Sequence, residues 1–118
     1  MHSAENHHRI DYVEFDVQDL EAAKRFYGTL FGWSFTDYGP DYTAFHDGAL
    51  NGGFAKSDRP IPKGALVVLF STDLEATEAA VKEAGGTIVE PIFSFPGGRR
   101  FHFKDPNGHE LAVWSDRS

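Results

Sequence analysis

The sequence predicts an α+β chain in which one β-α-β-β-β module is used twice. Three observations carry that expectation. Ile10 to Val17 alternates strictly, with Ile10, Tyr12, Glu14 and Asp16 on one side and Asp11, Val13, Phe15 and Val17 on the other, which is the period of a strand. Leu20, Ala23, Phe26, Tyr27, Leu30 and Phe31 then recur at helical spacing. Asp19-Leu-Glu-Ala22 returns as Asp73-Leu-Glu-Ala76, and Gly32 returns at the same interval as Gly86. A fixed interval of this kind marks a structural repeat.

The elements follow in order. Residues 1–8 are polar and His-rich and read as a flexible tail, without the apolar stretch of a secretory leader. Module one occupies 9–58. After its first strand, the Asp19 carboxylate is placed to accept a first-turn N–H, and Gly32 supplies the positive φ that ends the helix. Trp33 to Tyr38 alternates again, and Gly39-Pro40-Asp41 is a turn. Tyr42 to His46 and Leu50 to Lys56 flank Asp47-Gly48, a hairpin signal.

Residues 59–64, with Pro60 and Pro62, form a linker. Module two occupies 65–116. Ala65 to Ser71 is a strand, and Asp73 caps a helix with Leu74, Thr77, Ala80, Val81 and Ala84 on one face. Gly85-Gly86 closes that helix, Thr87 to Glu90 is a strand, and Pro91 to Gly98 reads as a loop rich in Phe and Pro. Arg100 to Lys104 and Glu110 to Trp114 flank the turn Asp105-Pro-Asn-Gly108. A four-residue loop there pairs Phe101 and Phe103 toward Ala112 and Glu110 and turns His102 away. Each module, at roughly 50 residues, is too small to bury a good core alone. The two are therefore expected to form one domain over 9–118, with a homodimer adding burial.

Composition narrows the function. The 118 residues contain no Cys, which excludes disulfides, thiolate zinc sites and a cysteine nucleophile. Eleven Lys and Arg against 18 Asp and Glu leave a net charge of −7, which opposes binding to a phosphate backbone. No nucleic-acid partner is expected. No apolar run approaches the ~18 residues of a membrane span, so no membrane partner is expected either. A cytoplasmic location is consistent with the missing Cys.

Tyr12 to Trp33, with its strand, Asp19 cap and Gly32 stop, resembles the opening of the vicinal oxygen chelate superfamily. That superfamily takes in glyoxalase I, bleomycin and fosfomycin resistance proteins and extradiol dioxygenases. Asp73 to Gly86 resembles its second-module helix, and Phe103-Lys-Asp-Pro-Asn-Gly-His-Glu-Leu111 its closing hairpin. The resemblance covers roughly residues 9–116. It implies a curved mixed sheet with both helices on the outer face, and homodimerisation. It also implies a divalent ion held by His and Glu side chains inside the cup. Those ligand positions correspond here to Tyr12, Gly52, Leu66 (or Val67, if the alignment slips by one) and Ala112. Gly, Leu, Val and Ala offer no side-chain ligand, and a lone Tyr does not hold a divalent ion. No metal or other cofactor is therefore expected.

The cup expected from this resemblance is lined by Tyr12, Glu14, Leu66, Val68, Phe70, Ala112 and Trp114, with Glu110 near its edge and Arg100 near its mouth. An apolar, aromatic hollow with a few polar groups is the usual profile of a small-molecule site. Tyr12 and Trp114 are placed to stack on a flat or cationic ligand. Glu14 is the candidate acid or base, because a carboxylate on a half-buried strand is costly unless paired or hydrogen-bonded. Arg99 and Arg100 are its candidate partners, or an anion clamp. Phe93 and Phe95 in the 91–98 loop suggest a lid or a strip covered by a second subunit.

The first function expected is thus a metal-free, bleomycin-resistance-like protein that binds a small molecule. A second is a lyase, isomerase or dioxygenase using a metal relocated to Glu14 and Glu110, or Glu14 as acid or base. A third is a regulatory or partner-binding domain.

Overall fold

The structure is a computed structural model describing residues 4–58 and 64–117; residues 1–3 of the tail, 59–63 of the linker and 118 lie outside the described residues. In chain order the elements are β1 (Ile10–Val17), α1 (Leu20–Phe31), β2 (Ser34–Asp37), β3 (Tyr42–His46) and β4 (Asn51–Lys56), then β5 (Leu66–Phe70), α2 (Leu74–Glu83), β6 (Thr87–Phe95), β7 (Gly98–Lys104) and β8 (Glu110–Ser115). This is β-α-β-β-β twice, an α+β fold with parallel and antiparallel pairings. Contacts divide the chain into two compact units, Tyr12–Leu66 and Val67–Ser118 with Met1–Asp11.

In the unit Tyr12–Leu66 the strands lie in the order β2-β3-β4-β1. β4 runs antiparallel to β3 and parallel to β1. Asp19 caps α1 by accepting the Ala22 N–H at 2.9 Å. Gly32 closes the helix at φ 75°, its N–H donating to the Gly28 carbonyl. Tyr27 on α1 stacks on Trp33 at 4.8 Å between centroids and leans on Phe54 at 5.4 Å. Phe54 is 1% exposed and also meets Phe15, Phe35 and Phe45. The unit's core is therefore an aromatic layer between α1 and one face of its strands. Of the expected apolar stripe only Leu20, Ala23 and Tyr27 are half-buried there. Phe26, Leu30 and Phe31 are exposed, because the stripe is wider than the arc of helix that the strands cover.

In the second unit the order is β5-β8-β7-β6, with β5 and β8 parallel. Asp73 caps α2 through the Ala76 N–H at 3.1 Å. Leu74 and Val81 of α2 pack with Phe101 and Val113, supported by Leu69, Ile88, Ile92 and Phe103.

Two expectations are corrected here. The segment Pro91 to Gly98 is not a loop: β6 continues through Phe95 and turns at Pro96-Gly97 into β7. Proline is tolerated because β6 is the outer strand of this unit and its pairing shifts register on either side of Glu90. The second correction concerns the 105–109 turn. The Asp105 N–H donates to the His109 carbonyl, so five residues rather than four separate β7 from β8. His102 therefore pairs with Ala112 and shares its face, while Phe101 and Phe103 point to the α2 side.

The sequence alone marks residues 1–8 as a flexible tail. Of these, Ala4–Asn6 form a short 3-10 turn and His7 bridges Phe70 of β5. The His8 N–H donates to the Phe70 carbonyl, and the Phe70 N–H to the Arg9 carbonyl.

Candidate functional site

The site in the unit Tyr12–Leu66 is built on paired strand residues. Tyr12 and Glu14 alternate with Val13 and Phe15 on β1, so they leave the aromatic core to the other side. The register places Asn51 beside Tyr12 and Gly53 beside Glu14, with Ala44 of β3 beyond Gly53. Tyr42 and His46 lie on this face by the same alternation.

Gly53 is the floor. A Cβ there would lie 1.8 Å from the Tyr42 hydroxyl oxygen and 2.6 Å from that of Tyr12, so both phenols rest directly over the glycine. The Tyr12 and Tyr42 hydroxyls are 2.5 Å apart, and Tyr42 donates to Glu14 Oε1 at 3.1 Å. A phenol carries one proton. Since the Tyr42 proton goes to Glu14, Tyr12 is the donor to Tyr42, and the three groups form a directed chain ending on a carboxylate. Burial, reinforced by the nearby Glu14 charge, holds Tyr42 far above its ordinary phenol range, so it remains a donor at any working pH. Farther along the face, His46 bridges Thr36 at 3.2 Å and Asn51 at 3.0 Å.

The second unit has its own polar and aromatic face. Val68 and Phe70 of β5 register with Ala112 and Trp114 of β8, and these with His102 and Arg100 of β7. Leu66 opens β5 on the same alternation as Val68. Val68, Phe70 and Ala112 are fully buried. Trp114 meets the Phe70 ring edge-on at 5.4 Å, and its indole N–H donates to Asp11 Oδ2 at 2.9 Å. Arg100 lies over Phe93 and Phe95 at 5.6 and 5.9 Å. His102 Nδ1 is 3.0 Å from Glu110 Oε2. Arg99 alternates to the opposite side, where its guanidinium forks onto both carboxylate oxygens of Glu75 on α2 and donates to the Arg117 carbonyl. It is a strut rather than a ligand clamp.

Two residues change standing. Gly52, matched by sequence to a metal-ligand position, faces α1, where a Cβ would lie 2.2 Å from the Phe45 ring; Gly53 is the residue that shares the Tyr12 side. Val67 likewise alternates away from Val68, leaving Leu66 as the β5 position on the Ala112 side. Tyr42 was not among the sequence candidates. The signal for it was the pair Gly52-Gly53 inside a strand, which marks close approach of other groups.

At the positions that the resemblance matches to ion ligands, Gly52, Leu66 and Ala112 carry no side-chain donor and Tyr12 carries one phenol, a chemistry that does not fit a divalent ion. Among the described residues, no three His, Asp or Glu side chains are grouped so as to hold a metal ion.

The profile of the Glyoxalase/Bleomycin resistance protein/Dioxygenase superfamily matches residues 9–113. The chain belongs to that superfamily. Within it, the chain is 30% identical over 118 residues to the putative glyoxylase CFP32 of Mycobacterium bovis, covering 88% of this chain and 44% of the relative. It thus spans less than half the length of that relative. Among solved structures, the Mn(II)-bound glyoxalase from Novosphingobium aromaticivorans is 25% identical with a TM-score of 0.67, over 91% of this chain and 38% of that one. Methylmalonyl-CoA epimerase from Mycobacterium tuberculosis, 13% identical, shares the fold with a TM-score of 0.73 over 98% of this chain and 92% of that one. Superfamily membership accounts for the repeated module.

Proposed function

We propose that this superfamily member binds a small organic molecule without a metal, in the manner of a bleomycin-resistance-like protein. The observation that carries the reading is the Tyr12–Tyr42–Glu14 chain over Gly53, which takes in Tyr12, the position that the family resemblance matches to a metal ligand. A face that ends on a carboxylate and is flanked by aromatic rings suits a flat or cationic ligand. The missing Cys and the lack of a long apolar helix among the described residues are consistent with a cytoplasmic location.

A thermal-shift screen with small aromatic and cationic compounds, run with and without divalent ions, tests the reading. A true ligand at about a hundredfold over its Kd should add about 2.7 kcal/mol of apparent stability. Glu14→Gln keeps an acceptor for Tyr42 but removes the charge, so affinity for a cationic hit should fall about tenfold. Stabilisation by divalent ions alone, reversed by chelator, would overturn the metal-free reading.

A second reading is favoured by the same chain of phenols. Glu14 is placed to take or return a proton through Tyr42, which is the work of an acid/base lyase or isomerase. In that case Glu14→Gln abolishes turnover of a bound compound while retaining its binding.

For the homodimer we propose α1 as the contact. Phe26, Leu30 and Phe31 are each about three-fifths exposed, a strip that water disfavours and a second copy would cover. Phe26→Glu with Leu30→Glu should shift sedimentation from dimer to monomer. An unchanged sedimentation coefficient rejects this face.

A further inference from the structure

The N-terminal residues 4–9 are held against β5 and the start of α2 by two histidines. The His7 and His8 rings stack at 3.7 Å between centroids, 24° from parallel. His7 Nδ1 receives the backbone N–H of Thr72 at 3.0 Å and lies 3.1 Å from the Thr72 hydroxyl. An imidazole nitrogen that accepts an N–H must carry a lone pair, so the geometry requires His7 to be unprotonated at Nδ1.

His8 Nε2 lies 3.0 Å from Thr77 Oγ1. Thr77 donates its one hydroxyl proton to the Asp73 carbonyl, so Ser71 Oγ, which also accepts the Asp73 N–H, is the donor to Thr77, 2.8 Å away. His8 is therefore the donor to Thr77, leaving Nδ1 as its proton-binding atom. His8 also has a φ of 62°, in the left-handed region that few residues other than glycine occupy. The docked arm thus holds local strain that undocking releases.

We propose that residues 4–9 form a pH-released latch, docked on β5 and the N-terminus of α2 while His8 is neutral, and detached once His8 takes up a proton. A charge on the His8 ring falls against the His7 ring at stacking distance, next to the positive end of α2.

The charged neighbours do not cancel this. Glu5 lies in the 3-10 turn, and Arg9 and Asp11 follow on the arm and β1. Asp73 is engaged in capping α2, and Asp11 accepts from Trp114. Glu75, on the first turn of α2, is engaged by Arg99. Glu78 follows one turn on. From the C-terminal side, Arg117 adds positive charge over the Phe70 ring.

Partial burial, and then the His7 ring, holds His8 below its ordinary value of 6.5. A histidine depressed in the docked state binds fewer protons docked than free. Docking is therefore complete above about pH 6.5 and is lost as pH falls through the lowered value.

Hydrogen exchange of the full chain, corrected for the intrinsic pH dependence, reads the latch at the His8, Phe70 and Thr72 amides. Between pH 7.5 and about 5.5 their protection should fall about tenfold or more, while the Phe101 and Val113 amides stay unchanged. In His7→Asn with His8→Gln, the Asn carbonyl can take the Thr72 N–H and the Gln amide can reach Thr77, and neither titrates. That variant should keep its protection at the lower pH. Equal profiles for wild type and variant, or wild-type protection that persists to about pH 5, overturn the latch. A ring-nitrogen NMR spectrum of the unmodified protein provides a check independent of the variant. Unprotonated His7 Nδ1 at pH 7.5 is expected, and a protonated Nδ1 there overturns the proposal.

Discussion

Phe54→Ala should lower the unfolding free energy by about 3–5 kcal/mol, the usual range for deleting a fully buried Phe. The ring is 1% exposed and stands 5.1 to 6.2 Å from those of Phe45, Tyr27, Phe15 and Phe35. These neighbours are rigid and drawn from four elements, so they cannot collapse together into the space left behind. Urea unfolding should show a lower midpoint with an unchanged slope. Phe26→Ala on the exposed side of α1 is the control and should change the isolated chain by about half a kcal/mol or less. A loss at Phe26 matching that at Phe54 would contradict the packing of α1 described above.

Gly53→Ala should weaken ligand binding about tenfold or more while costing about 1–3 kcal/mol of stability, the range for overpacking. The added methyl takes the volume of the Tyr42 and Tyr12 hydroxyls, which are side-chain tips and can swing outward. That breaks the chain to Glu14 but leaves the strands paired. Gly52→Ala is the counterpart. Its Cβ would lie 2.2 Å from the Val13 carbonyl oxygen, so β1 and β4 must move apart. The stability loss there should exceed that at Gly53. Calorimetric titration with a hit from the thermal screen, beside denaturant melts of both variants, separates the two effects. Full binding by Gly53→Ala would remove the phenol chain from the ligand site.

The repeat was legible because its determinants are local. Asp19 and Asp73 cap their helices as their carboxylates and spacing imply, and alternation on β1 sorts Tyr12 and Glu14 from Phe15 without knowledge of any partner strand. What was illegible depended on pairing. Whether a turn holds four residues or five is decided by the backbone bond from Asp105 to His109, and that one residue moves His102 from one face to the other. Pro91 argues for a loop until β6 is known to be an outer strand. Tyr42 reaches Glu14 from a strand 28 positions away in sequence. Composition and spacing carry no trace of that meeting beyond the two glycines that make room for it.

The irregular course of β6 has a consequence for the protein in a crowded solution. A strand carrying Ile88, Val89, Ile92, Phe93 and Phe95 at the rim of its unit would ordinarily recruit a stranger's backbone and seed fibrils. Pro91 withholds one amide from any such recruit, and the two slips in pairing bend the rim out of line. The features that disguise this strand in the sequence thus also guard it against templated aggregation.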